Sequence, residues 1–221
     1  MSPLKDDQTL SLFITFEGPD GSGKSTQIEL AAAYLSRRGY DVLTTREPGG
    51  SPIGDQIRQV LHDVDNTAMS SQTEVLLYSA SRAQLVHQVI QPHLQRGGAV
   101  LCDRYADSTY AYQGYGRQIE LETLRLITQF ATQGLKPTIT IYLDLDPAEG
   151  LHRKVEASRT GAGEWNRMDR LELAFHQRVR AGYLEMARAE PDRWLVIDAT
   201  ASIEVVQQII CQRLDLAIGK R

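Results

Sequence analysis

No apolar run in this 221-residue chain approaches the ~20 residues that a membrane-spanning helix needs. The opening residues, MSPLKDDQTLS, lack the apolar centre of a signal peptide. They read as a disordered tail over 1–11 and point to a cytoplasmic protein. Cysteine is scarce: Cys102 falls in an apolar strand pattern and Cys211 in an amphipathic helix pattern. Without metal-type spacing, both read as small core residues. A basic surplus is missing too. The 24 Lys and Arg face 28 Asp and Glu, and the net charge of −4 argues against a chain built to coat nucleic acid. Internal repeats and low-complexity linkers are also lacking. What remains is ordinary, 42% hydrophobic and 24% charged, and suits one α/β domain over residues 12–221.

Within that domain, apolar strand patterns and helical patterns alternate. Phe13–Phe16 gives way to a glycine-rich turn and a helix that runs to about Arg38 and ends at Gly39. Val42–Thr45 is a second strand. Ser51 is then placed to cap a helix with Pro52 at its first position, reaching about His62. After a polar link, residues 71–95 carry the longest helical pattern, with Pro92 positioned to kink or shorten its end. Ala99–Cys102 is a continuous apolar strand of the kind buried on both faces of a parallel sheet. A short helix within 107–116, a helix from Leu121 to Gly134, a fourth strand at 138–143 and another helix from Pro147 follow. At 157–168 the periodicity dissolves into a polar, glycine-containing insert. The pattern closes with a helix over 171–189, a fifth strand at 194–197 and a helix over 203–218. Such alternation predicts a five-stranded parallel sheet with helices on both faces, and ligands beyond the carboxyl ends of its strands.

Three polar clusters fall at those ends. The first, Gly18-Pro19-Asp20-Gly21-Ser22-Gly23-Lys24-Ser25, is the G-x-x-x-x-G-K-[ST] pattern between a strand and a helix. Its glycines let successive backbone N–H groups face a phosphate, and the helix beginning near Lys24 adds its positive end. Lys24 is spaced to reach the β- and γ-phosphates of a nucleoside triphosphate, and the Ser25 hydroxyl to ligate Mg²⁺. Thr26 completes this phosphate-binding set. The second and third clusters, TREPGG and CDRYADS, bring Arg46 and Arg104 to the same crevice, flanked by Arg58. Arginine's planar fork suits a second phosphate. The insert and its basic neighbours Arg153, Arg159, Arg167 and Arg170 read as a lid over about 153–170, which excludes water and neutralises charge during phosphoryl transfer. An N-K-x-D guanine-reading segment is absent, which weighs against a nucleotide-dependent switch.

FEGPDGSGKST, TREPGGSPIGDQIR, LLYSASRAQL, DRYADSTYAYQGYGR and MDRLE together resemble the thymidylate kinase family over most of the chain. The resemblance implies a P-loop kinase fold with a lid, MgATP as donor, dTMP as acceptor and a homodimer. It places Tyr78 against the thymine ring, Arg82 at a base carbonyl and Thr109 at the base edge. Tyr112 would crowd the ribose 2′ position, and Gln113 joins the dTMP set. Arg104 would grip the dTMP phosphate, supported by Arg46 and Arg58, while Asp20 would lie between the two substrates. Asp103 would hold Mg²⁺ through water. The phosphate loop here carries no arginine, so the resemblance assigns the catalytic arginine to the lid. Arg153 aligns best, with Arg159 and Arg167 as alternatives. Another nucleoside or nucleoside monophosphate kinase is the nearest competing reading.

Overall fold

A computed structural model describes residues 11–160 and 166–219; most of the expected tail and residues 161–165 of the expected lid lie outside this range. Five parallel strands form one sheet: β1 (Leu12–Glu17), β2 (Val42–Arg46), β3 (Ala99–Asp103), β4 (Ile139–Asp144) and β5 (Trp194–Asp198), in the order β2-β3-β1-β4-β5. All six residues of central β1 are buried, whereas edge strand β2 alternates between half-buried and exposed. Position in the sheet, more than composition, sets that difference.

The period of two along β1 divides the core. Leu12, Ile14 and Phe16 point to a face covered by α1 (Lys24–Arg37) and α9 (Ile203–Gly219), where Leu35, Ile210 and Leu214 are fully buried. On the opposite face, Phe13 packs with Val100 and Cys102 against Leu85, Val86 and Ile90. A third cluster stacks Tyr142 on Tyr183 at 4.8 Å beside Trp194 and Phe175, docking α8 (Leu173–Ala189). Cys102 is buried and Cys211 half-buried, and both are free thiols.

Between β2 and β3 run α2 (Pro52–His62) and α3 (Ser71–Leu85). Ser51 caps α2 by accepting from Gly54 N, as its position predicted. Pro92 does not break the long helix. Instead, α3 passes into a π-helical stretch, Val86–Ile90, and then α4 (Gln91–Gln95); the Gln91 N–H reaches back to Val86 O. Widening the ring ahead of a proline accommodates a residue that has no N–H of its own. The helix expected within 107–116 is likewise α5 (Ala106–Thr109) continuing as a π-helical stretch, Tyr110–Gly116, closed by Arg117 N–H on Tyr112 O at 2.9 Å. α6 (Leu121–Thr132) precedes β4. The helix after β4, α7 (Pro147–Arg159), runs further than the pattern implied, taking in the first three residues of the insert. A 3₁₀ turn, Arg167–Arg170, then leads to α8.

Candidate active site

Parallel register aligns the strand ends: Phe16 pairs with Asp103, and Asp103 with Arg46. The loops that follow therefore open on one side of the sheet and line a single cavity of about 530 Å³. Part of its wall is the loop before α1. Gly18 (φ 139°) lies so close to β4 that a Cβ there would meet Leu143 O at 2.6 Å, and Gly23 takes φ 89° at the helix N-cap. No side chain caps α1 and no acidic residue occupies its first turn. Its first N–H groups and the positive end of its dipole therefore face the cavity, with Asp20 of the loop as the nearby anion.

Lys24 Nζ donates to Gly18 O at 3.1 Å and Pro19 O at 3.0 Å, and lies 3.6 Å from Asp20 Oδ1. Burial lowers its pKa and the nearby Arg104 charge lowers it further. Asp20 is the hub of the site. It receives Arg104 Nη2 at 2.8 Å and also pairs with Lys154. Desolvation pushes the Asp20 carboxyl up, but Arg104, Lys24 and Lys154 together hold it well below the usual carboxylate range. Arg104 takes a left-handed backbone (φ 66°), its guanidinium lies 5.2 Å over the Tyr112 ring, and among the described residues its buried Nη1 has no hydrogen-bond partner.

Among the described residues, Asp103 Oδ1 is also buried without a hydrogen bond. An orphaned carboxylate oxygen at a strand end, lining the same cavity as Ser25, fits the oxygen-only, water-rich coordination of Mg²⁺.

Elsewhere on the cavity wall, Arg46 pairs with Asp55 at 3.6 Å, and Arg58 Nη1 donates to Pro48 O at 3.1 Å. Tyr78, Arg82, Thr109, Tyr112 and Gln113 line the wall. Burial raises the Tyr78 phenol above its ordinary value, so it stays neutral. Arg82 is 1% exposed and donates to Glu47 Oε2 (2.7 Å), Thr109 Oγ1 (2.9 Å) and Tyr105 O (3.2 Å). Five N–H groups leave it donors beyond those three.

The lid arginines separate. Arg153 comes to the phosphate loop: its Nη1 is 3.4 Å from Gly21 O, while its Nε bonds Glu149. Arg159 is exposed and pairs with Glu156 along its own helix. Arg167 departs from the expectation. It is buried on Glu74 at 2.6 Å and bonds Leu61 O, because a buried carboxylate on α3 draws it away from the phosphate loop.

Sequence reasoning missed several participants. Glu17, at the carboxyl end of β1, is fully buried and accepts from Tyr105 N (2.9 Å), Ser108 Oγ (2.6 Å) and Tyr183 Oη (2.8 Å). Burial, aided by Asp107, raises its pKa to about 7; burial raises Glu47 likewise to about 7 against the Arg82 charge. A carboxylate directly between a buried strand and the glycine loop was the available signal for Glu17. Lys154, bridging Asp20 and Asp169 (3.0 Å to the latter), also had one. Gly150 lets α7 approach the loop, with an ideal Cβ 3.2 Å from Asp20 O, and Lys154 follows one helical turn later.

A family model described as thymidylate kinase matches residues 16–210. A thymidylate kinase of Roseiflexus sp. (strain RS-1) is 54% identical over 208 residues, covering 91% of this chain and 92% of that protein. One from Deinococcus radiodurans is 53% identical over 189 residues, covering 86% and 89%. The crystal structure of thymidylate kinase from Ehrlichia chaffeensis matches with a TM-score of 0.73 at 33% identity, covering 92% of this chain and 98% of that one. The family match, the identities and the shared fold agree: this chain belongs to the thymidylate kinase family.

Proposed function

We propose that the chain transfers the γ-phosphoryl group of ATP to dTMP, giving dTDP and ADP. The observation that carries this reading is one cavity lined both by Pro19–Thr26 loop residues and by Tyr78, Arg82 and Thr109, with the hydrogen-bonded Arg104 and Asp20 also lining it. The loop N–H groups and Lys24 bind the donor phosphates. The unpaired Nη1 of Arg104 grips the acceptor phosphate, and Arg46 and Arg58 add positive charge beside it. The acceptor oxygen is already anionic, so no general base is needed and positioning does most of the work. Asp20 holds Arg104 at the junction of the two substrates, and Tyr112 fills the space beside the sugar. Arg153 faces the transferring group from the lid of about residues 153–170. Ser25 and, through water, Asp103 would hold Mg²⁺, which supplies positive charge to the β- and γ-oxygens.

The same reading makes the working unit a homodimer in the cytoplasm. Its support is apolar surface on two adjoining helices, with Leu76 of α3 58% exposed and Leu126 and Phe130 of α6 61% and 87% exposed. Among the described residues, no helix is long and apolar enough to cross a membrane. Measuring ADP release with dTMP, dUMP, UMP, CMP and AMP tests the assignment. Turnover should be highest with dTMP; equal turnover with a purine or ribonucleotide acceptor refutes it.

A further inference from the structure

Glu74 lies on α3 one helical turn before Tyr78 and is 1% exposed, yet it does not line the cavity. Its Oε1 accepts from Gln113 Nε2 at 2.8 Å and Arg117 Nε at 3.4 Å, and its Oε2 from Arg117 Nη2 at 3.0 Å and Arg167 Nη2 at 2.6 Å. Gln113 is 2% exposed and does line the cavity. Burial pushes the Glu74 carboxyl up, but the bonds from Gln113 and the two arginines outweigh it and keep the group below its ordinary pKa. An ionised carboxylate can only accept. The Gln113 amide must therefore turn its NH₂ towards Glu74, since the flipped amide would set oxygen against oxygen. Its Oε1 receives no hydrogen bond from the described protein and is what Gln113 has left to offer a ligand.

Resting on the reading of dTMP as acceptor, we infer that Glu74 is a positioning residue for base selectivity, locking the Gln113 amide so that its oxygen meets a pyrimidine N3–H. Thymine and uracil carry that donor; cytosine presents a lone pair at N3 and is opposed. The lock is double, because Arg117 from the end of the π-helical stretch grips both carboxylate oxygens and Arg167 from the foot of the lid holds Oε2, the oxygen that Gln113 does not use. Selectivity thus depends on a group that never touches the substrate.

The test compares kcat/KM for dTMP and its 3-deaza analogue, which has C–H in place of N3–H, across wild type, Glu74→Gln and Glu74→Asp. Glutamine at 74 can donate as well as accept, which frees the Gln113 amide to turn. Aspartate keeps the charge that Arg117 and Arg167 need but withdraws it from Gln113, and so serves if the Gln variant does not fold. The wild type should prefer dTMP by roughly 3- to 10-fold, the worth of one buried hydrogen bond, and mostly through KM. In the variants the ratio should fall to within about twofold of unity. A purely structural Glu74 would slow both substrates alike and leave the ratio unchanged, and that result overturns the inference. A wild type indifferent to the deaza substitution overturns it as well. A wild type inactive on dTMP removes the acceptor assignment itself, and the inference with it.

Discussion

Replacing Asp20 with Asn removes one negative charge from among three cations. Arg104 Nη2 lies 2.8 Å from this carboxylate and Lys24 Nζ 3.6 Å away, and Lys154 is in contact. A unit pair at 4 Å is worth about 4 kcal/mol in a medium of effective dielectric 20. Desolvation and screening cancel much of this, and Asp20 is 38% exposed while Lys24 and Lys154 are nearly buried. The net loss should be about 1–2 kcal/mol, between a surface pair and a buried one. For a chain of this size that lowers Tm by roughly 2–8 °C. Ligand binding should move the other way, because a cavity relieved of an anion holds phosphates more tightly. Thermal unfolding of Asp20→Asn should show a lower Tm without nucleotide and a larger rise on adding ATP, with kcat reduced because Arg104 has lost its tether. An unchanged Tm without nucleotide, or a smaller rise with ATP, would refute the claim that Asp20 restrains this cluster.

The lid arginines should separate by assay. Arg153→Ala should lose on the order of 10²-fold in kcat at nearly wild-type Tm, and Arg159→Ala should match wild type. Arg167→Ala should lose stability by about 3 kcal/mol, as a broken buried pair does; equal effects from all three in unfolding and turnover would contradict the placement. Gly18→Ala, with its Cβ 2.6 Å from backbone oxygen, should cost at least ~2 kcal/mol. Gly39→Ala, at φ 86° with open space around it, should cost only about 1 kcal/mol by denaturant unfolding. Glu17 and Glu47, raised from 4.5 to about 7, hold protons in the folded state that the unfolded chain releases. Stability should therefore fall by a few kcal/mol as pH rises from about 4.5 to 7 and level off above; Glu17→Gln should flatten that slope in urea titrations at fixed pH values.

Local patterns carried most of the fold. Runs such as Ala99–Cys102 are apolar because both sheet faces are covered, and the Gly18–Ser25 loop needs glycine at φ values other residues avoid. Both π-helical stretches escaped notice because a change from i→i−4 to i→i−5 bonding leaves the apolar spacing nearly intact. The side-chain pairs were hidden for a different reason. Arg167 and Glu74 are 93 residues apart, and no local rule connects them. A basic residue near a lid is expected at the phosphates on charge alone, but charge does not decide where it rests. Among the described lid residues, the carboxylates do: Asp20 and Asp169 hold Lys154, Glu74 holds Arg167 and Glu156 holds Arg159. Arg153 gives Glu149 only its Nε and turns Nη1 towards the glycine loop. The reading of Arg153 as the lid's phosphate-facing arginine therefore rests on that Nη1 contact with Gly21 O, which leaves it beside the glycine loop although Glu149 holds its Nε, whereas Arg159 and Arg167 pair with acids away from the loop.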